Sequence, residues 1–219
     1  MFKNLKIIPF LILFTYCFDR PLTIKVAPIF SDGMVLQRNT MVNIWGTASP
    51  NTDVQILSEW GQKLSIKSND TGAWKAKLTT ANAGGPFFLK INTNKESFTI
   101  KDILIGEVWL ASGQSNMEMS LMGYPPKDTI LNYKEEIRRA NYPFIRMFNV
   151  EKQFSIVPAK DFKGFWLEAS PSQIEKFSAT AYFFALEIHK KLDIPIGIIH
   201  SSWGGSPCES WTSEKKLFE

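Results

Sequence analysis

The sequence predicts an α/β protein: a parallel sheet with fewer strands than usual, preceded by a small domain that resembles a β-sandwich. The composition is that of a folded chain, with 44% hydrophobic and 21% charged residues among 219, which is too apolar for disorder. Residues 22–100 hold short segments in which apolar and polar residues alternate, the pattern of half-buried strands. After residue 101 the apolar runs become longer and are separated by a helical pattern, which is typical of a parallel sheet.

The first 20 residues are predicted to be a signal peptide. Lys3 and Lys6 precede an apolar run from Ile7 to Phe14, which has the layout of a secretory signal and is too short to span a bilayer. A buried core helix is the alternative, which Pro9 inside the run disfavours. We therefore expect export to the periplasm or the extracellular space, without a transmembrane span. Cys17 stands where a bacterial lipoprotein carries its acylated cysteine, so a lipid anchor in the outer membrane is an open alternative to release.

Residues 21–101 are predicted to form a β-rich accessory domain. Turn-forming residues, such as those from Asn69 to Gly72, separate the alternating segments at intervals of roughly 8–12 residues, as in small antiparallel sandwiches. No pair of ionisable residues stands out, so a structural role is expected, with glycan contact through an aromatic residue such as Trp60 as the alternative. The predicted strands cover residues 41–45, 54–57, 63–66, 74–78, 87–91 and 97–100.

Residues 102–219 are predicted to form the first part of an α/β domain. The run Ile103–Ala111 is nearly continuous in apolar residues, as expected of a strand covered on both faces. Residues 145–150 and 194–201 are two further predicted strands, and residues 178–192 carry apolar side chains at helical spacing. A doubly wound sheet ordinarily has about five strands. Three strands therefore predict an incomplete sheet.

Charge and cysteine content argue against several classes of function. The balance of 25 Lys and Arg against 21 Asp and Glu gives a net charge of +4, and the basic residues are scattered, so nucleic-acid binding is not expected. Cys17 and Cys208 cannot form a disulfide framework, and neither lies in a C-x-x-C pair. With only His189 and His200 available, a metal site is not expected either.

Two glycine-rich loops, each directly after a predicted strand, are the candidates for chemistry. Residues 113–117 place Ser115 on a tight turn at the carboxyl end of a strand, where a serine can act as the nucleophile of acyl transfer. Residues 201–207 contain two consecutive glycines, which free backbone N–H groups to stabilise an oxyanion. Each loop alone is equally well explained as a plain turn. Their common position at one edge of the sheet favours the chemical interpretation.

Residues 106–118, GEVWLASGQSNME, resemble the nucleophile block of the sialate O-acetylesterases, members of the SGNH hydrolase superfamily. The resemblance implies a three-layer α/β fold and a carboxylic ester hydrolase without cofactor or metal. The implied substrate is an O-acetylated sialic acid or a related acetylated glycan. Further similar segments follow the family's order and cover nearly everything from residue 27 to 213: residues 29–37, 45–46, 72–74, 83–86, 177–184 and 196–211.

The resemblance also implies roles for individual residues. Ser115 would attack the acetyl ester and form an acetyl-enzyme. Its own N–H and that of Gly204 or Gly205 would hold the oxyanion, while Gln114 and Asn116 would shape the turn.

The general base is unknown from the sequence. A nucleophilic serine needs a group that takes its proton, usually a histidine oriented by an acidic residue. In the superfamily both come from an Asp-x-x-His block near the C-terminus, which this sequence lacks. His200, at the end of a predicted strand, is the remaining candidate, whereas His189 is expected at the surface of a helix end. We therefore expect the N-terminal part of a longer esterase, with the competence of this chain open.

Three functions remain open from the sequence. The first is removal of O-acetyl groups from sialic acids through Ser115. The second uses the same nucleophile block on acetyl-xylan or another polysaccharide. The third is a non-catalytic glycan-binding remnant in which Ser115 is idle.

Overall fold

The computed structural model describes residues 24–218 except 156, 158 and 160, so the predicted signal peptide and Cys17 lie outside the described residues. The strands are β1 (Lys25–Val26), β2 (Val35–Gln37), β3 (Met41–Thr47), β4 (Asp53–Ser58), β5 (Lys63–Lys67), β6 (Ala73–Thr79), β7 (Gly84–Asn92), β8 (Ser97–Gly113), β9 (Tyr142–Val150), β10 (Gly164–Ala169) and β11 (Ile196–Ser202). The α-helices are α1 (Ser115–Glu118), α2 (Tyr133–Arg139), α3 (Ala179–Leu192) and α4 (Glu214–Leu217).

The strands form two sheets. An antiparallel three-stranded sheet has the order β1-β3-β6, and the larger sheet follows the path β10-β9-β11-β8-β7-β4-β5, with β2 paired beside β8. Strand β11 runs parallel to both β8 and β9, whereas β7, β4 and β5 are joined in antiparallel fashion. The described residues are thus a mixed α/β protein with a mostly β-sheet core and few helices, which confirms the predicted class at that level.

The strands predicted before residue 100 are present: five of the six are slightly longer than the alternating pattern, and the sixth, at residues 97–100, is the beginning of the long strand β8. Their inward residues form one hydrophobic cluster, shared by both sheets, in which Ile44, Ile56, Leu78 and Leu89 are almost wholly buried. Burial of such aliphatic side chains stabilises a fold by about 1.5–3 kcal/mol each. The separate β-sandwich domain and its limits at residues 21 and 101 stay predictions.

Strand β8 joins the β-rich region to the region around α3. It runs without a break from Ser97 to Gly113, although the sequence pattern indicates two strands separated near Lys101. Its first half contributes Ile100 and Ile103 to the cluster of the β-rich region, and its second half contributes Ala111 to a second cluster beneath α3. Asp102 bridges the two halves of the strand in a left-handed conformation, with φ of 57°.

The expectation that Ile103–Ala111 is covered on both faces is wrong for its second half. Trp109 is 44% exposed and Leu110 is 69% exposed. Helix α3 packs on one face, where the Trp109 ring meets Phe184 edge-on at 5.1 Å. No helix of the described residues covers Leu110 on the opposite face. The second half of the apolar run is therefore packed on one face only, although its composition predicts packing on both.

Helix α3 agrees with its predicted range. The Ser178 hydroxyl accepts a hydrogen bond from the Ala181 N–H at 3.2 Å and caps the first turn, and Asp193 ends the helix in a left-handed conformation. The helix buries Tyr182 and Ala185 against the face of β9 and β11 that carries Ile198. Among the described residues, no helix is both long enough and apolar enough to cross a membrane.

Sequence reasoning missed β10, an antiparallel neighbour of β9 at the edge of the larger sheet. Its Trp166 packs against Phe148 at 5.5 Å, on the face of β9 that points away from α3. The indole N–H of Trp166 donates to the carbonyl of Ile29 at 2.8 Å, which ties this edge to the β-rich region.

Candidate functional site

The two predicted loops meet at one edge of the sheet. Parallel strands β8 and β11 end together, with Ser202 paired to Gly113, and the Trp203 N–H donates to the Gly113 carbonyl at 2.9 Å. Because both strands point the same way, their carboxyl ends place the loops side by side. The structure therefore brings residues 113–118 against residues 203–206.

Ser115 begins the short helix α1 on the first of these turns. Gly113 enters the turn with φ of 127°, a conformation that favours glycine. The Gln114 carbonyl then accepts the N–H groups of Met117 at 3.0 Å and Glu118 at 2.9 Å, which closes the turn. Ser115 is exposed, and its Oγ forms no hydrogen bond with any described residue. The hydroxyl is thus accessible to a substrate and has no hydrogen-bond partner among the described residues.

The second turn packs directly on Ser115. A Cβ placed on Gly204 would lie 3.6 Å from both Cα and Cβ of Ser115, an ordinary van der Waals distance, so the two turns are in direct contact. Gly205 has φ of 78°, and the Ser206 N–H closes the turn on the Trp203 carbonyl at 3.2 Å. In the described part of the chain, the N–H groups of Ser115 and Gly205 donate to no other residue. They are two donors available to an oxyanion.

The Gly204 N–H, by contrast, is already used. It donates to the carboxylate of Glu118, three residues after Ser115. The other oxygen of this carboxylate pairs with the ammonium of Lys152, which also lies 5.7 Å from the centre of the Trp203 ring. The hydrogen bond from Lys152 holds the pKa of Glu118 below its usual value of 4.5, with the Gly204 N–H acting in the same direction. The carboxylate is therefore ionised at neutral pH.

Gln114 and Asn116 flank Ser115 with exposed side chains. Both contribute through their backbone: the Asn116 carbonyl accepts from the Thr180 hydroxyl at 3.0 Å, which fastens the turn to the start of α3. The predicted role of these residues in shaping the turn is compatible with this geometry.

His200 lies near the end of β11, but its ring nitrogens form hydrogen bonds with residues other than Ser115. Its Nδ1 is 3.1 Å from Oδ1 of Asn149, and its Nε2 is 2.6 Å from Oγ of Ser202. Burial lowers the pKa of its imidazole below the usual value of 6.5. Both ring nitrogens thus have partners other than Ser115. His189 lies at the far end of α3, half-buried, with its Nδ1 2.8 Å from the Ile194 carbonyl.

Two cavities border the site. An apolar cavity of about 280 Å³ lies between β8 and α3, beside Met117 and Phe184. A second, of about 430 Å³, lies beyond the end of β11 and is lined in part by Lys152, Trp203 and Trp211. In the described ranges, no three His, Cys, Asp or Glu side chains cluster so as to hold a metal ion.

Sequence reasoning missed Glu118 and Lys152. Glu118 is three residues from Ser115, a spacing that places it on the same turn of helix. Lys152 follows the end of β9, which is the third parallel strand to end at this edge. Strand order along the sheet, which the sequence does not reveal, brings Lys152 to the other two loops.

An exposed serine on a strand-to-helix turn that packs on a glycine turn, in an α/β protein, is an arrangement that serine hydrolases use. No protein-family model matches the chain. Human sialate O-acetylesterase is 31% identical over an alignment of 216 residues that covers 88% of this chain and 39% of the human protein. The rat sialate O-acetylesterase is 28% identical over an alignment of 212 residues that covers 88% of this chain and 38% of that protein.

A solved structure agrees with these relatives. The crystal structure of a carbohydrate acetylesterase from Xanthomonas citri matches with a TM-score of 0.84 and 34% identity, over 90% of this chain and 44% of that one. The chain is a relative of the sialate O-acetylesterases, as its motifs predict. It spans about two fifths of the length of the curated relatives that it matches.

Proposed function

We propose that this chain carries the nucleophile of a carbohydrate O-acetylesterase, with Ser115 as the attacking residue. One observation carries the proposal: the free hydroxyl of Ser115 lies directly against a glycine turn, and the N–H groups of Ser115 and Gly205 have no other partner in the described residues. Relatives named sialate O-acetylesterase and carbohydrate acetylesterase support ester hydrolysis as the class of reaction.

The reaction would proceed through an acetyl-enzyme. Ser115 Oγ attacks the carbonyl carbon of the acetyl ester, and the negative charge that develops on the carbonyl oxygen is stabilised by the two unpaired N–H groups. Collapse of this intermediate expels the sugar hydroxyl and leaves acetyl-Ser115, which water hydrolyses to acetate. Since no described histidine contacts Ser115, its proton passes to water in this chain alone, and we expect slow turnover.

The substrate that we propose is an O-acetylated sialic acid, supported by the names of the curated relatives. A second candidate, acetyl-xylan or another acetylated polysaccharide, is favoured by the name of the Xanthomonas citri enzyme, which specifies only a carbohydrate. A third, a glycan-binding remnant with an idle serine, is favoured by the observation that no histidine of the described residues contacts Ser115.

Hydrolysis of p-nitrophenyl acetate by the purified chain tests the activity. Ser115→Ala should reduce the rate to that of buffer, whereas Ser65→Ala, at an exposed position of β5 in the β-rich region, should leave it unchanged. Equal rates for the unaltered chain and Ser115→Ala would refute the proposal. Unchanged glycan binding by Ser115→Ala would then support the remnant.

Acetate release from O-acetylated sialic acid and from acetylated xylan, measured side by side, distinguishes the two substrate classes.

We further propose that residues 1–20 direct export, with the β-rich residues 21–101 as an accessory domain and Cys17 as the site of any lipid anchor. Metabolic labelling with a radioactive fatty acid, compared between the unaltered chain and Cys17→Ser, tests the anchor.

A further inference from the structure

We infer that Glu118 is a positioning residue of this site: its carboxylate clamps the glycine turn of residues 203–206 onto the turn that carries Ser115. The inference rests on the proposed function, because it concerns the readiness of Ser115 to react. The contact that carries it is the hydrogen bond from the Gly204 N–H to Glu118, which links the ends of β8 and β11 across the candidate site.

The glycine turn needs such a clamp for a physical reason. Two consecutive glycines have more backbone freedom than any other pair of residues, so Gly204 and Gly205 lose much conformational entropy when they are held in one geometry. The bond from the Gly204 N–H holds the peptide plane between Trp203 and Gly204, and the Ser206 N–H bond to the Trp203 carbonyl closes the turn around the next plane, which carries the unpaired Gly205 N–H. Hydrogen bonds to an ionised acceptor are roughly twice as strong as neutral ones, which suits a carboxylate to this task.

The charge of Glu118 would by itself oppose the reaction, because a bare carboxylate raises the energy of a nearby oxyanion. Lys152 compensates that charge through its ion pair with the second carboxylate oxygen. The ammonium is in turn placed by the Trp203 ring at 5.7 Å, on the residue before Gly204. The clamp therefore joins the ends of three parallel strands and adds little net charge to the site.

The reaction of Ser115 with a fluorophosphonate probe tests the inference without a need for turnover. Ser115 Oγ forms a bond to phosphorus, fluoride leaves with the electron pair of the P–F bond, and the serine proton goes to water. We expect Glu118→Ala to lower the maximal labelling rate by about 10–100-fold, which is less than the 10²–10³-fold loss typical of a removed oxyanion donor. The probe concentration that gives half of the maximal rate should change by less than about twofold. Glu118→Gln should keep at least about a third of the rate, since its amide oxygen still accepts from Gly204.

The matched control is Glu187→Ala, which removes an exposed carboxylate from α3 at the surface. Labelling of Glu118→Ala at the unaltered rate would overturn the inference, and so would Glu118→Gln reacting as slowly as Glu118→Ala. Because Glu118→Ala can fail to fold, the amide signals of Gly204 and Gly205 in the unaltered chain provide a second measurement. Both should shift together as Glu118 is protonated below pH 4.5. Signals that stay fixed through that range would overturn the inference.

The two proposals fail in different ways. If the unaltered chain labels at Ser115 but hydrolyses no acetyl ester, the proposed function fails, while the labelling rates of the Glu118 variants still decide the clamp. If Ser115 does not label at all, the site is not reactive and the inference falls with it.

Discussion

Arg146 offers a sharp test of how the two halves of β8 are held together. Its side chain is 6% exposed, on the face of β9 that points away from α3. Its guanidinium donates to the Asp102 carbonyl at 2.7 Å, to the Asp102 carboxylate at 2.9 Å and to the Pro143 carbonyl at 3.1 Å. These bonds fix β9 to the point where β8 passes from one hydrophobic cluster to the other.

Arg146→Met removes all three hydrogen bonds and keeps most of the apolar stem in place. The two bonds to carbonyls contribute about 1 kcal/mol each, and the bond to the carboxylate contributes about 1.5 kcal/mol or slightly more. The Asp102 side chain is 53% exposed and regains water, which limits the loss. We therefore expect the free energy of unfolding to fall by about 2–4 kcal/mol. With a urea dependence of about 2 kcal/mol per molar, the midpoint of unfolding should fall by about 1–2 M.

Asp102→Asn is the matched control for this measurement. Asparagine keeps an oxygen acceptor for Arg146 and tolerates the left-handed conformation of this position, with φ of 57°. Its cost should stay below about 1 kcal/mol, as for other partly exposed ion pairs. A midpoint for Arg146→Met within 0.3 M (about 0.6 kcal/mol) of the unaltered protein would refute the reasoning.

Two further predictions concern the core and the response to pH. Ile198→Ala should lower the free energy of unfolding by about 2–5 kcal/mol, because Ile198 is fully buried beneath α3, whereas Leu110→Ala on the neighbouring strand should change it by less than about 0.5 kcal/mol; equal effects in urea titrations would contradict this. Stability should decrease as pH falls below 6.5, since burial lowers the pKa of His200 and the unfolded chain takes up the proton first. It should decrease again below 4.5, where hydrogen bonds from Gln37 and Arg38 lower the pKa of Glu107. His200→Gln should abolish the first decrease and Glu107→Gln should weaken the second, and a pH profile unchanged by either substitution would refute the assignment.

Local patterns predicted most of the secondary structure. Alternating residues identified strands such as β6, whose burial alternates strictly, and helical spacing identified α3 with its Ser178 cap. The same patterns could not show that β8 is continuous, because Lys101 and Asp102 are exposed there and interrupt the apolar run as a turn would. The pairing with β7 before and after these residues, and the bonds from Arg146 to Asp102, hold the strand in the sheet through them.

A glycine-containing turn directly after a predicted strand identified the position of Ser115, and the same pattern identified the glycine turn of residues 203–206. Lys152 also lies just past the end of a strand, because β9 is parallel to β11 and ends at the same edge. A charged residue after an apolar strand carries no distinguishing signal, because most strands end in polar residues. What distinguishes Lys152 is its ion pair with Glu118, and that pair depends on the order of β8, β11 and β9 in the sheet. Glycine and serine predict a turn from the local sequence alone. A contact between two turns depends on which strands are neighbours in the sheet, and the local sequence does not show this.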